Sequence, residues 1–163
     1  MEKPKINIIV AISENQVIGN KGKLPWHISE DMKRFKELTT GNVVIMGRKT
    51  YESLPDKYRP LPNRINILVT RNKNYTEEKI TICNSIESAI KEANKFGKKV
   101  FIIGGAQIFE LGIKYADKLY LTIVKGNFEG DAFFPDYSKF KKIVAKKESR
   151  NEKYQYAFLD LQK

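Results

Sequence analysis

The sequence predicts an α/β fold: a mostly parallel central sheet of about eight strands, with an antiparallel C-terminal strand and helices on both faces. Two observations indicate the parallel part. Apolar stretches of strand length alternate along the chain with amphipathic stretches of helical spacing, and these apolar stretches are rich in Ile and Val, as in strands buried on both faces. The third observation is that Lys141–Lys147 and Tyr154–Leu161 alternate in polarity and predict an antiparallel hairpin.

The N-terminal part of the chain predicts a strand, a loop and a helix. Lys5–Ile12 is an apolar run, and it predicts a buried strand. Ser13–His27 is polar and contains glycine, so it predicts a loop. Ile28–Thr39 has apolar residues at helical spacing, and Gly41 ends that helix.

The rest of the chain continues this alternation. Ser85–Phe96 predicts an amphipathic helix with Ser85 as N-cap and Gly97 as its end. Short helices are predicted after Gly47 and, through Leu111, after Gly105. Pro55–Asn63 holds three prolines and predicts a loop. The predicted strands are Asn42–Met46, Ile65–Thr70, Ile80–Cys83, Lys99–Ile103 and Lys118–Val124. Ligands of such sheets bind beyond the carboxyl ends of the strands, which directs attention to the loops after Ile12, Met46, Val69 and Ile103.

Composition bounds the class of protein. The chain has 163 residues, 41% of them hydrophobic and 30% charged, which predicts one globular domain over residues 1–163 and excludes a disordered or fibrous chain. Cys83 is the only cysteine, so no intrachain disulfide can form. No apolar stretch near the N-terminus is long enough to span a membrane, and no cleavage site follows it. We therefore expect a cytoplasmic protein without a membrane partner.

The net charge of +11 leaves two interpretations open. It favours a polyanionic partner, such as nucleic acid, an anionic membrane or a ligand with phosphates and carboxylates. It also fits a lysine-rich surface without a specific partner, because 24 of the 30 basic residues are Lys. Nothing else in the chain predicts a nucleic-acid-binding module.

Asp31 is the first candidate for chemistry. On the predicted helix it shares a face with the apolar residues Ile28, Met32, Phe35 and Leu38. A carboxylate on an apolar face is costly without a partner, and it suits a planar, amidine-like ligand edge that donates two hydrogen bonds. The alternative is a carboxylate in the first helical turn that faces water and is favoured by the helix dipole.

Two strand–glycine–helix turns and one further strand end supply candidate phosphate ligands. In Gly47-Arg48-Lys49-Thr50, two cations and a hydroxyl open a helix. Gly104-Gly105-Ala106-Gln107 follows a buried strand and allows close approach of a ligand, although it is not a G-x-G-x-x-G motif. Thr70 and Arg71 end another strand. A zinc cluster is not expected, because His27 is the only histidine and Cys83 the only cysteine.

These motifs, in this order, resemble those of dihydrofolate reductase in its bacterial, single-domain form. The resemblance runs from Ile6 to about Leu161. It rests on Val17-Ile18-Gly19, Leu24-Pro25-Trp26 with Asp31, Met46 to Ser53, Leu61-Pro62-Asn63-Arg64, Ile103-Gly104-Gly105, Leu119-Tyr120-Leu121-Thr122 and Gly130 to Pro135.

The resemblance implies NADPH-dependent reduction of 7,8-dihydrofolate to tetrahydrofolate, an activity that supports one-carbon metabolism and thymidylate and purine synthesis. Asp31 then accepts hydrogen bonds from the pterin and promotes its protonation, while hydride passes from the nicotinamide to the adjacent ring carbon. The implied catalytic residues are Asp31, Leu24, Trp26 and Thr122. Small-molecule partners, namely dihydrofolate and antifolate inhibitors, and a monomer without a nucleic-acid partner are expected.

The same resemblance implies the binding residues. Arg64 matches the arginine that pairs with the α-carboxylate of the substrate's glutamate. The implied substrate-binding residues are Ile9, Val10, Ala11, Met32, Phe35, Leu54, Leu61, Arg64, Ile103 and Phe109. The implied cofactor-binding residues are Ala11, Ile18, Gly19, Gly47, Arg48, Lys49, Thr50, Thr70, Arg71, Gly104, Gly105, Ala106 and Gln107. No metal is implied.

Three further expectations follow from the resemblance. Asn20–Leu24 matches a mobile lid, and Gly130-Asp131 matches the loop that braces it. A cis peptide bond is expected between Gly104 and Gly105. The chain departs from some bacterial members at Ala106-Gln107, where those have Gly-Arg, and in the longer stretch Pro55–Pro60. The nearest alternative is a pyrimidine reductase of riboflavin synthesis, which Trp26 with Asp31 and Arg64 disfavour.

Overall fold

A computed structural model describes residues 5–163. Its strands are β1 (Ile6–Ser13), β2 (Val17–Gly19), β3 (Val43–Gly47), β4 (Ile65–Val69), β5 (Thr81–Cys83), β6 (Val100–Gly104), β7 (Lys118–Val124), β8 (Ala132–Phe133), β9 (Lys142–Arg150) and β10 (Gln155–Gln162). Its helices are α1 (Ser29–Thr39), α2 (Arg48–Ser53), α3 (Ile86–Asn94) and α4 (Ala106–Gly112). Short 3₁₀ turns cover Asp56–Tyr58 and Ile113–Tyr115.

Eight of the strands form one sheet in the order β5-β4-β3-β6-β1-β7-β10-β9. Every pairing from β5 to β7 is parallel, and β10 is antiparallel to both of its neighbours. This confirms the predicted mostly parallel sheet with an antiparallel C-terminal strand.

Both faces of the sheet are covered, which explains why its central strands are apolar at nearly every position. One face packs Ile45, Ile67 and Ile102 with Ile86 and Ala89 of α3, and α4 adds Ile108 to the same cluster. The other face packs strand residues with Tyr51 of α2 and with the partly buried Phe35 and Leu38 of α1. The predicted helices on both faces are therefore confirmed.

The N-terminus of α3 has a side-chain cap, whereas that of α1 has none. Ser85 caps α3 through a reciprocal pair of hydrogen bonds, in which its Oγ accepts from the Ser88 N–H at 3.0 Å and the Ser88 Oγ accepts from the Ser85 N–H at 3.3 Å. The predicted N-cap at Ser85 is thus confirmed. The N-cap residue of α1 is Ile28, which offers no side-chain cap, so the first turn of α1 must be held by other contacts.

One prediction is wrong in part. The sequence predicts a loop over Ser13–His27, but this segment contains β2, which pairs with β8 in a separate two-stranded ribbon. Strands of three and two residues are too short to show an alternating pattern. Their pairing depends on Gly130, since a Cβ atom there would lie 2.3 Å from Val17 Cγ1 and 2.7 Å from the carbonyl oxygen of Gly19.

None of the helices found between residues 5 and 163 combines the length and the apolar character that a membrane crossing requires.

Candidate active site

The carboxyl ends of neighbouring strands bring the predicted site segments to one edge of the sheet. The register places Met46 of β3 beside Gly104 of β6, and Gly47 beside Val69 of β4. The three predicted phosphate-binding segments therefore begin at adjacent strand ends. On the other side of β6, the next two strands, β1 and β7, place Ala11 opposite Thr122.

Asp31 lies in the first turn of α1 and faces β7. The Thr122 hydroxyl, itself 2% exposed, donates a hydrogen bond to Asp31 Oδ1 at 2.5 Å. Burial raises the pKa of the Asp31 carboxyl, and the hydrogen bond from Thr122 and the charge of Arg34 act in the opposite direction. The alternative in which this carboxylate faces water is therefore wrong.

Trp26 and Leu24 lie just before α1 but differ in exposure. Trp26 is 5% exposed and packs edge-on against Phe128, with ring centroids 5.1 Å apart. Its indole nitrogen is buried and has no hydrogen-bond acceptor among residues 5–163. Leu24 is 61% exposed.

The residues expected to line the substrate pocket divide into groups. One apolar cluster on the α1 face of the sheet holds five of them, namely Ile9, Phe35, Leu54, Leu61 and Ile103. Val10 and Phe109 pack instead with the cluster on the α3 face, and Ala11 packs beside Trp26. Phe109 is 2% exposed, and its ring centroid lies 5.2 Å from that of Phe134. Met32, by contrast, is 57% exposed.

Arg64 reaches α1 at the far end of this wall. Its Nη1 donates to the Thr39 hydroxyl at 3.2 Å, and its Nε donates to the carbonyl oxygen of Pro62 at 2.9 Å. The guanidinium carbon lies 6.0 Å from the ring centroid of Phe35. No carboxylate within the described part of the chain pairs with it, so a planar cation is held in place beside the apolar wall.

The glycines of the two strand–helix turns pack directly against neighbouring side chains. A Cβ atom added at Gly105 would lie 3.2 Å from Thr50 Oγ1, and one added at Gly47 would lie 3.0 Å from Ile108 Cγ1. Thr50 also lies within 3.5 Å of the Cβ position of Gly104. The peptide bond between Gly104 and Gly105 is cis, as expected. Each turn therefore packs against the helix that follows the other strand.

The remaining cofactor candidates are mostly exposed. Arg48 forms an ion pair at 3.5 Å with Glu52, one helical turn further along α2, and Lys49 and Arg71 face solvent. Thr70 is an exception because it is buried. Its hydroxyl accepts a hydrogen bond from the N–H of Asn72 at 3.2 Å, within the same turn.

The segment that was expected to form a lid contacts the loop that was expected to brace it. The N–H of Lys21 lies 3.2 Å from both carboxylate oxygens of Asp131, and the N–H of Asp131 donates to the carbonyl oxygen of Gly19 at 3.1 Å. Ile18 and Gly19 belong to β2, which the same loop covers.

The family model described as dihydrofolate reductase matches residues 5–163. The chain belongs to the dihydrofolate reductase family. Among relatives called dihydrofolate reductase, that of Buchnera aphidicola is 42% identical over 158 residues, covering 94% of this chain and 96% of the relative. That of Bacillus subtilis is 38% identical, covering 97% and 94%.

A solved structure is similar over the same length. It is described as dihydrofolate reductase from Enterococcus faecalis complexed with NADP(H) and RAB-propyl. It is 36% identical, covers 97% of this chain and 95% of its own, and superposes with a TM-score of 0.86. The family assignment decides against the pyrimidine reductase alternative.

Sequence reasoning missed two charged residues beside Asp31 in this member of the dihydrofolate reductase family. Arg34 forms an ion pair with Asp160 of β10 at 2.6 Å, and its guanidinium carbon lies 4.7 Å from the ring centroid of Phe158. Glu30 accepts hydrogen bonds from the C-terminal hairpin. Helical spacing could have placed Arg34 on the face of Asp31, but the hairpin partners of both residues depend on tertiary structure.

Proposed function

We propose that Asp31 is the residue that binds and helps to protonate the pterin in this enzyme, which, as a member of the dihydrofolate reductase family, reduces 7,8-dihydrofolate to tetrahydrofolate with NADPH. One observation carries the proposal: a partly buried carboxylate, held by Thr122 and raised in pKa, at the sheet edge where the other site segments meet. Perturbed carboxyl groups in clefts are typical of general acid–base sites.

Asp31 has acceptor capacity to spare. A carboxylate offers about four lone-pair sites, and Thr122 uses one of them. The remaining sites suit the exocyclic amine and the ring N–H of a pterin, which donate in parallel. Because its pKa is raised, Asp31 can hold a proton closer to neutral pH than an ordinary aspartate and can promote transfer of a proton to N5 of the pterin.

The turns after β3 and β6 fit NADPH. Gly47 packs against Ile108, and Gly105 packs against Thr50. A Cβ atom at either glycine would crowd its neighbour. The helices that begin at these turns, α2 and α4, have no side-chain cap, so their first backbone N–H groups can donate to a pyrophosphate. When bound, NADPH supplies the hydride. The residues proposed to hold it are Ala11, Ile18, Gly19, Gly47, Arg48, Lys49, Thr50, Thr70, Arg71, Gly104, Gly105, Ala106 and Gln107.

The apolar wall and Arg64 suit the rest of the substrate. The wall would exclude water from the pterin and the aminobenzoyl ring, and Arg64 would pair bidentately with the glutamate α-carboxylate. The proposed substrate-binding residues are Ile9, Val10, Ala11, Met32, Phe35, Leu54, Leu61, Arg64, Ile103 and Phe109. Leu24 and Trp26 complete the proposed catalytic set with Asp31 and Thr122, and Asn20–Leu24 is the proposed lid.

A spectrophotometric assay tests this function. We expect the purified protein to oxidise NADPH in the presence of dihydrofolate and not in its absence. Asp31→Asn should lower turnover by orders of magnitude at neutral pH and leave NADPH binding nearly unchanged, because only the charge beside the pterin is lost. Equal turnover of the two proteins from about pH 5 to about pH 9 would contradict the role of Asp31.

We further propose that residues 1–163 form one cytoplasmic domain that acts as a monomer and needs no nucleic acid. In the dihydrofolate reductase family, the cofactor carries phosphates and the substrate carries carboxylates. These two ligands can therefore explain the basic charge of the chain without a polyanionic partner. Light scattering after gel filtration would measure the mass in solution. Retention on a 2′,5′-ADP column but not on heparin at moderate salt would support the small-ligand interpretation of the basic charge.

A further inference from the structure

Glu30, the residue before Asp31, is bound to the C-terminal hairpin. Its Oε1 accepts hydrogen bonds from the Tyr156 hydroxyl at 2.6 Å and from the Ser149 hydroxyl at 2.7 Å. The ammonium of Lys147 lies 3.8 Å from the other carboxylate oxygen. Three side chains from β9 and β10 thus converge on one carboxylate in the first turn of α1.

The register of the hairpin explains the convergence. Tyr156 and Ser149 are directly opposite each other in the β9–β10 pairing, so both hydroxyls lie on the same face of the sheet. Tyr156 is 5% exposed, and a buried phenol hydroxyl requires a hydrogen-bond partner. Glu30 is that partner. The contact is therefore part of the packing of α1 on the sheet and not a chance ion pair at the surface.

This contact restrains a helix start that has no side-chain cap. The N-cap residue Ile28 provides no side-chain hydrogen bond, so the first turn of α1 lacks the usual restraint. Glu30 binds the hairpin in that turn, and Arg34 binds Asp160 of β10 at 2.6 Å one turn later. Asp31 lies between these two anchors in the chain.

We propose that Glu30, held by Tyr156 and Ser149, is a positioning residue that orients the first turn of α1 and so sets the place and the electrostatic surroundings of the Asp31 carboxylate. The proposal rests on the proposed role of Asp31 in catalysis. Glu30 itself touches neither ligand nor reacting atoms in this scheme; it acts through Asp31.

Charge gives Glu30 a second effect on Asp31. The hydrogen bonds from Tyr156 and Ser149 lower the pKa of Glu30, so it is ionised at neutral pH. Its negative charge acts with burial to raise the pKa of Asp31. The carboxylates of Glu30 and Asp31 act on each other within α1. The other groups that face them are Arg34 on α1, Thr122 on β7, Lys147 and Ser149 on β9, and Tyr156 on β10.

Two variants separate charge from position. Glu30→Gln keeps an oxygen that can accept from both hydroxyls and removes the charge. Tyr156→Phe keeps the charge and the ring and removes one hydrogen bond. Glu37→Gln is the matched control, because it makes the same change at an exposed position on the same helix. Two readouts are used: the carboxyl carbon resonance of ¹³C-labelled Asp31 against pH in the free protein, and the pH dependence of dihydrofolate reduction.

Glu30→Gln should lower the apparent pKa of Asp31, because the ionised form loses a like-charged neighbour. Compared with the wild type, the rate of this variant should be reduced about threefold more at pH values above the midpoint of the pH–rate profile than at pH values below it. Tyr156→Phe should leave the midpoint in place and reduce kcat/KM about threefold across the profile, because the carboxylate is less well oriented. Glu37→Gln should match the wild type in both readouts.

Two results would overturn the proposal. One is a titration curve of Asp31 in Glu30→Gln that coincides with the curve of Asp31 in Glu37→Gln. If the melting temperature of Glu30→Gln fell while this titration stayed unchanged, Glu30 would have a structural role only, and the proposal would also be wrong. The other is a Tyr156→Phe variant with wild-type kcat/KM. Failure of the proposed function is distinct from both, because the wild type would not reduce dihydrofolate, whereas the titration of Asp31 needs no substrate.

Discussion

The hydrogen bond from Thr122 to Asp31 allows a quantitative prediction. The Thr122→Val substitution removes the hydroxyl and keeps the shape of the side chain, which is 2% exposed. The bond stabilises the ionised carboxylate, so its loss should raise the pKa of Asp31 further. A hydrogen bond to a charged group contributes about 1.5–3 kcal/mol, and 1.36 kcal/mol corresponds to one pH unit. We therefore expect an upward shift of about one to two pH units.

The assay is the pH–rate profile of dihydrofolate reduction, together with the carboxyl resonance of Asp31 in the free protein. The alkaline limb of the profile should move upward, while Thr122→Ser, which keeps the hydroxyl, should stay near the wild type. A profile of Thr122→Val that superposes on the wild type, or that moves to lower pH, would refute the argument that this hydroxyl stabilises the ionised form.

Three further predictions concern the two ligands and stability. Removing both guanidinium groups, with Arg48→Leu and Arg71→Leu, should reduce the preference for NADPH over NADH by roughly tenfold or more, because charge-assisted bonds to the 2′-phosphate are lost; unchanged selectivity in kcat/KM would place that recognition elsewhere. Arg64→Leu should raise KM for dihydrofolate roughly tenfold and leave KM for a pterin without the glutamate tail unchanged, because this contact is remote from the reacting atoms; equal effects on both substrates would exclude a role in binding the tail. Asp31→Asn should increase the free energy of unfolding at neutral pH by about 1 kcal/mol, as measured by urea unfolding, since functional sites often reduce stability.

Periodicity predicted the strands of the sheet well where they are long and buried. β3 and β6 are runs of apolar residues that each end at a glycine, and the structure starts and ends them within a residue of the prediction. β2 and β8 could not be predicted in this way. Their pairing depends on the close approach of Gly130 to Val17, which is a tertiary contact with no local pattern.

The site was predictable in part. The argument that a carboxylate on an apolar helix face needs a partner anticipated the partly buried surroundings of Asp31 and its hydrogen bond from another element. Its partner Thr122 lies far away in the chain, so no spacing rule could pair the two, and only the family resemblance suggested it. The contact of Glu30 with Tyr156 and Ser149 was out of reach for a related reason, because it depends on the register of a hairpin.

Burial of Asp31 links its function to a cost in stability. Because burial raises the pKa of the folded state, the unfolded chain loses its proton first as the pH increases. Below the ordinary aspartate pKa of about 3.9 the carboxyl is protonated in both states and costs nothing. The cost grows as the pH rises from there through the raised pKa of the folded state, and it is complete above that value. The stability gained by Asp31→Asn should therefore be small in acid and largest at neutral and alkaline pH. A gain that is equal at about pH 4 and about pH 8 would mean that packing, and not the desolvated charge, limits stability at this position.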